Sequence, residues 1–302
     1  MKKLIFLIAS ISVVFGLEIP KNHIIDTNWL EENLNEKNLV IIDKRKNEDF
    51  LKSHIQGAIN IPKKEWFQGE VNGVKKYYNT PNQTQEILQS AGIKEDSLVV
   101  FYSTGLNEID FADSASSLWT LYTYGFKNSV ILDGGFEKWK FENKKVTSDL
   151  KSIKKSDIEI EIFDKSSLAS LDEIIEAIYN EDIQISDARV SAFYTGDKGR
   201  DDLAKKGRIA TVKLTPMIRH LKKENSYYVF NTSEESKNIL YNSGFGVELD
   251  KPLIVYCNTG HKARGLWFIG KFLVGMENVK VYDGSMVEYT RTDLPIETGE
   301  EF

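Results

Sequence analysis

The sequence predicts an α/β protein of two tandem domains, each a mostly parallel sheet flanked by helices. Short apolar runs rich in β-branched residues, such as Leu39-Val-Ile-Ile42 and Ser97-Leu-Val-Val-Phe-Tyr102, alternate with segments of helical period. That is how a sheet buried on both faces reads. The plan then occurs a second time. From Asp43 to Asp187 is 144 residues, from Ser103 to Cys257 is 154, and from Asp133 to Asp283 is 150. A period near 150 residues marks duplicated domains, since solenoid repeats are far shorter. A chain of 302 residues has room for two such domains.

Residues 1–16 stand apart. Met1-Lys-Lys, an apolar run from Leu4 to Phe15 and then Gly16 have the layout of a secretory signal peptide. The run is too short for a comfortable membrane span. Cleavage is expected before Leu17, with an uncleaved anchor as the alternative. The mature protein is then expected to be exported to the periplasm, with no membrane insertion after cleavage.

The first domain is expected over residues 22–142. Asp26 or Thr27 caps a short helix through Trp29, Leu30 and Leu34. Leu39–Ile42 is a buried strand ending in Asp43, with Arg45 close behind. His54–Pro62 reads as a turn at Gly57 feeding a short strand that Pro62 stops. A helix is expected over Gln83–Ser90, a strand over Ser97–Tyr102, a helix over Ile109–Tyr122 and a strand over Val130–Leu132. Residues 143–165 are polar and form the linker, with one short strand at Ile158–Ile162. The cluster Lys151, Lys154 and Lys155 within it reads as a solvated surface.

The second domain is expected over residues 166–300. A helix carrying Leu171, Ile174, Ile175 and Ile178 leads to a strand ending in Asp187, with Arg189 following as Arg45 follows Asp43. Gly207–Pro216 parallels the stretch ending at Pro62, and Val279–Gly284 parallels Val130–Gly134. Between them Leu253-Ile-Val-Tyr256 is a buried strand, and helical spacing resumes from His261 through Leu266, Trp267, Ile269, Phe272 and Leu273.

Cys257, the only cysteine of the chain, lies between that strand and that helix. A thiol there faces unpaired N–H groups and the positive end of the helix dipole, which favour the nucleophilic thiolate. His261 and Lys262 are expected to add positive charge in the same turn. In parallel sheets ligands gather at strand carboxyl ends, where Cys257, Asp187 and Asp283 all fall. An exported protein usually pairs its cysteines. A lone thiol there points to chemistry, with an intermolecular disulfide as the other possibility. The first half has Tyr102-Ser103-Thr104-Gly105 against Tyr256-Cys257-Asn258-Thr259-Gly260. One residue is missing, so either Ser103 or Tyr102 replaces the cysteine, and the first half is expected to be inactive. The net charge of −6, with no basic face, argues against nucleic acid as the partner.

Taken together, these residues resemble the rhodanese superfamily, specifically the two-domain thiosulfate and 3-mercaptopyruvate sulfurtransferases. Leu39–Asp43 with His54-Ile-Gln-Gly-Ala-Ile-Asn-Ile-Pro62 is similar to the family's first signature. Asp283-Gly-Ser-Met-Val-Glu-Tyr289 with Leu294-Pro-Ile-Glu-Thr-Gly299 is similar to its C-terminal one. The resemblance implies that Cys257 takes a sulfane sulfur from a small anionic donor and holds it as a persulfide. It then passes the sulfur to a thiol, cyanide or protein acceptor. The N–H groups of Asn258, Thr259, Gly260, His261 and Lys262 are expected to curl around the sulfur as an anion nest, with no metal or cofactor. The thiol is expected to lie open in that cup. Asp187, Arg189, Asp283 and Glu288 take supporting, structural roles.

The chain departs from the family pattern at several positions. Asn258 and Thr259 stand where thiosulfate-specific members carry two basic residues. A substrate-gripping arginine would fall near Phe193. Arg208 stands in place of a histidine, and Met286 and Tyr289 in place of tryptophans. Phosphatases of this fold need Cys-x5-Arg, to grip phosphate with an arginine fork. Here that position is Ala263, and Arg264 falls one residue later. A non-catalytic binding or sulfur-carrier module of the same fold is the second reading.

Overall fold

The computed structural model describes residues 17–71, 73–160, 163–242 and 246–299. The expected leader, residues 1–16, lies outside them. Among the described residues no helix is long and apolar enough to cross a membrane.

Each half is built on a five-stranded parallel sheet. In the first the strand order is Ile24–Ile25, Ser129–Leu132, Leu98–Tyr102, Leu39–Asp43, Ala58–Asn60. In the second it is Leu168–Ala169, Val279–Tyr282, Leu253–Tyr256, Gln184–Asp187, Lys213–Leu214. The orders superimpose, and so do the registers: Asp43 pairs with Tyr102 as Asp187 pairs with Tyr256. All residues of Leu39–Asp43, Leu98–Tyr102 and Leu253–Tyr256 are buried, which explains their uninterrupted apolar runs.

The first-half helices form where capping chemistry permits. Asp26 caps Thr27–Asn33, Thr80 and Gln83 form a reciprocal capping box before Pro81–Ser90, and Asn107 caps Glu108–Thr123. In the second half Ser170 and Glu173 repeat the box for Leu171–Tyr179. The expected strand at Ile158–Ile162 does not form over its described part, Ile158–Ile160. Ile158 instead buries its side chain in the core, and the N–H of Ile160 donates to the Gln85 side chain at 2.9 Å. Earlier in the same segment, Val146–Thr147 pairs antiparallel with His54–Ile55 of the first half.

The halves share one core. Helix Glu108–Thr123 packs along helix His261–Phe268, and a single apolar cluster joins Phe101, Trp119 and Leu118 to Val255, Trp267 and Phe268. Two hairpins reach across. The N–H of Tyr78, after hairpin strands Gly69–Val71 and Val74–Tyr77, donates to Asp283 of the other half at 3.1 Å. Phe230, ending hairpin strands Leu221–Glu224 and Tyr227–Phe230, donates its N–H to Asp133 at 2.9 Å. The exchange is reciprocal, as a pseudo-twofold relation between duplicated halves requires.

Candidate active site

The site begins at adjacent strand ends. Tyr256 donates its hydroxyl to Asp187 at 2.9 Å, and Arg189 grips both oxygens of that carboxylate, the shortest contact being 2.6 Å. The same guanidinium donates to Gly207 O at 2.8 Å and to Asn258 Oδ1 at 3.2 Å. Burial opposes its charge, but Asp187, then Tyr256 and Cys257, hold its pKa above the ordinary value. Asp187 and Arg189 thus tie the loop after Cys257 to the neighbouring strand.

The loop is shaped by the segment after the Val279–Tyr282 strand. Ser285 Oγ accepts the N–H of Cys257 at 3.1 Å and of Gly260 at 2.9 Å, and donates to Tyr282 O at 2.9 Å. Ser285 sits at φ +49°, an uncommon conformation for a residue with a side chain. The N–H groups of Met286 and Val287 donate to the carbonyls of Cys257 and Asn258 at 3.2 and 3.0 Å. Gly260 turns the chain at φ +75°, and a Cβ there would collide with the Asp283 carboxylate. Among the described residues, the N–H groups of Asn258, Thr259, His261, Lys262 and Ala263 have no hydrogen-bond acceptor. Five such donors around one helix start are an arrangement suited to an anion.

The structure corrects three expectations about this loop. Cys257 is a free thiol, but it does not lie open: it is 3% exposed and shares an apolar cluster with Ala188, Met217 and Ala263. The His261 imidazole does not add positive charge at the sulfur. It turns to the first half, where Nε2 lies 2.5 Å from Asp113 Oδ1 and Lys63 Nζ lies 2.8 Å from the same oxygen. Burial, which outweighs the carboxylate, pushes the His261 pKa down to about 4, so the ring is neutral at pH 7. Asp113 stays ionised despite burial because His261 and Lys63 donate to it. Lys262 likewise faces the first half and pairs with Glu108.

The remaining site residues have structural partners. Asp283 is buried, binds Arg264 Nε at 2.9 Å and accepts the Tyr78 N–H. Its pKa is raised by burial, with Arg264 acting against the shift. Arg264 is stacked between Phe67 and Trp119 at 4.8 and 4.9 Å, so it is committed to this pair and not to an anion over the loop. Arg208 donates to Gly299 O at 2.8 Å. Phe193 lies in the short helix Ser191–Tyr194, and the nearest arginine that follows in sequence, Arg200, pairs with Asp202.

The register also settles which first-half residue matches the cysteine. Tyr102 donates its hydroxyl to Asp43 as Tyr256 does to Asp187, and Ser103 O accepts from Phe136 as Cys257 O accepts from Met286. Ser103 is therefore the counterpart of Cys257. The sequence reading missed Ser285, Lys63, Glu108 and Asp113. Only Ser285 carried a signal, since the 150-residue offset sets it opposite Gly135, which has φ +58°.

The fold and the loop define a class: paired parallel-sheet domains sharing a core, with one thiol at a strand end beside a run of unpaired amides. The chain belongs to the rhodanese family, whose Rhodanese-like domain model matches residues 26–142 and again 170–292. A Saccharopolyspora erythraea protein named as a candidate thiosulfate sulfurtransferase is 27% identical over 286 residues, covering 92% of this chain and 97% of its own length. The sulfur carrier protein TtuD of Thermus thermophilus is 26% identical over 291 residues, covering 92% of this chain and 97% of that one. The structure of SseA from Escherichia coli, a 3-mercaptopyruvate sulfotransferase, superposes with a TM-score of 0.73 at 22% identity. The match covers 87% of this chain and 98% of that chain. At that identity the superposition speaks for fold alone.

Proposed function

We propose that the protein is a sulfurtransferase that moves a sulfane sulfur from a small anionic donor to a thiophilic acceptor through a Cys257 persulfide. The unpaired N–H groups of Asn258, Thr259, His261, Lys262 and Ala263, following the lone thiol, carry this reading. These donors stabilise a thiolate and then the terminal sulfur of a persulfide, which needs no metal. The thiolate attacks the outer sulfur of the donor, forming the new S–S bond. With thiosulfate the donor's own S–S bond breaks and sulfite leaves with its electron pair; a mercaptopyruvate-type donor breaks its C–S bond and the leaving carbon takes up a proton to give pyruvate. A thiol, cyanide or protein acceptor then attacks the terminal sulfur and restores the thiolate. The names of the relatives agree with sulfur handling.

Incubation with thiosulfate or 3-mercaptopyruvate, followed by intact mass measurement, tests this directly. The expected product is heavier by one sulfur, ~32 Da, and loses it to cyanide. A second reading, a non-catalytic sulfur-carrier or binding module, is favoured by the phenylalanine at position 193 and the slight exposure of Cys257. No adduct with any donor would select the binding module. We propose in addition that residues 1–16 direct export to the periplasm, with N-terminal sequencing of the cell-envelope fraction expected to begin at Leu17.

A further inference from the structure

We propose that Asp113, on the central helix of the first half, is a positioning residue for the Cys257 loop of the second. This rests on the reading of Cys257 as a reactive thiolate. The loop is held at two ends by different halves. Its beginning, Cys257 and Gly260, hangs on Ser285 of its own domain. At its end, the side chains of His261 and Lys262, which open helix His261–Phe268, are held by the first half. Asp113 takes the imidazole, Ser116 Oγ donates to His261 O at 3.3 Å, and Glu108 pairs with Lys262. His261 and Lys262 also contribute two of the five unpaired N–H groups. Those donors open helix His261–Phe268, and the first half, by anchoring the side chains there, bears on where that helix start lies against Cys257. Lys63 reaches Asp113 at 2.8 Å and His261 Nδ1 at 3.4 Å, so it neutralises the carboxylate and closes the cluster.

Cys257 is the only cysteine, so the pH profile of its alkylation by iodoacetamide reads one thiol. The charged groups around the cluster are Lys44, Lys63, Glu65, Asp110, Arg264 and the Glu108–Lys262 pair; Arg189 is the group that senses Cys257. Losing the Asp113 charge would by itself favour a nearby thiolate and move the profile to lower pH. Losing the loop geometry removes N–H donors from the thiolate and moves it to higher pH. Direction therefore separates positioning from simple electrostatics.

Both D113A and D113N, in the full-length protein, are expected to move the profile upward by about half a unit or more, with D113A the larger. Asp133→Asn alters another inter-half carboxylate, which holds Phe230 and is not in this cluster, and is expected to leave the profile in place. An unshifted or lowered profile in folded D113A, or an equal shift in D133N, overturns the proposal. Should D113A fail to fold, D113N together with Lys63→Met, at the exposed edge of the cluster, decides on the same terms. The sulfur-mass measurement is independent. A raised profile without persulfide formation sinks the sulfurtransferase reading and keeps this one, and the reverse result does the opposite.

Discussion

The Ser103 loop and the Cys257 loop share a frame and differ in what fills it. In each, an aspartate at a strand end binds an arginine two residues on and a tyrosine on the next strand. In each, two N–H groups after the last sheet strand take the loop carbonyls. In the first half, however, several of the donors are taken up internally. Leu106 gives its N–H to Asp110 at 2.7 Å and Ile109 gives its N–H to Asn107 at 2.9 Å. Burial raises the Asp110 pKa, and bonds from Leu106, Asn107 and Gly105 act against the rise. A built-in carboxylate thus occupies the place that the second half leaves for an anion from outside. The two halves share the frame; one acidic residue, and a serine where the other half has its thiol, set the first apart.

The largest test of that contrast is to exchange the sulfur. Cys257→Ala is expected to reduce sulfur transfer to background, and Ser103→Ala to leave it at the wild-type level, both read as kcat/KM with thiosulfate or 3-mercaptopyruvate. Moving the thiol, as Ser103→Cys in the Cys257→Ala background, is expected to give no persulfide by mass because Asp110 holds the loop donors. Comparable losses from Ser103→Ala and Cys257→Ala would mean that both halves share the chemistry.

A middle-sized effect is expected at the paired positions Gly135 and Ser285. Giving the second half the glycine of the first, Ser285→Gly, relieves a positive φ but removes the acceptor of the Cys257 and Gly260 N–H groups. Two hydrogen bonds at about 1 kcal/mol each correspond to a fall of about tenfold or more in kcat/KM. Thermal stability is expected to change little, since the backbone strain released offsets the bonds lost. A stability loss with unchanged kcat/KM would make Ser285 a purely structural residue.

Much of the frame was legible because parallel strands buried on both faces must be written as apolar runs, and their repeat at one offset exposed the duplication. Leu39–Asp43, Leu98–Tyr102 and Leu253–Tyr256 lie where their residues predict. The thiol at a strand end was legible for the same reason. The hairpin ending at Tyr77 was not, because Tyr77 packs on Val287 of the other half while the next residue, Tyr78, packs on Trp119 and Tyr124 of its own, a division no local period reports. The direction of His261 was hidden too: its neutral state depends on burial against Asp113, 148 residues away. Nor does any periodicity report which N–H groups stay unpaired, since that depends on where Ser285 and Asp110 place single oxygens.

The smallest expected effect separates, by pH, the two carboxylates that accept a hairpin N–H across the halves. Asp133 and Asp283 each accept a backbone N–H from the opposite hairpin, but only Asp283 also binds an arginine, Arg264. Burial pushes the Asp133 pKa up to about 6, with the Phe230 N–H and Lys138 acting against it and Glu224 with it. A folded-state pKa above the unfolded one means that the native state binds the extra proton. Stability from this group is then fully present below about pH 4 and lost as pH rises through about 6. Asp133→Asn keeps an acceptor for Phe230 and removes the ionisation. Its urea stability relative to wild type is therefore expected to improve from pH 4 to pH 7, by about 1 kcal/mol or more. Asp283→Asn leaves Arg264 buried without its carboxylate and is expected to be less stable than wild type at pH 7, because an unpaired buried charge costs more than a protonation equilibrium returns. Parallel behaviour of the two variants across that range would show that the arginine is not what distinguishes the two halves at this contact.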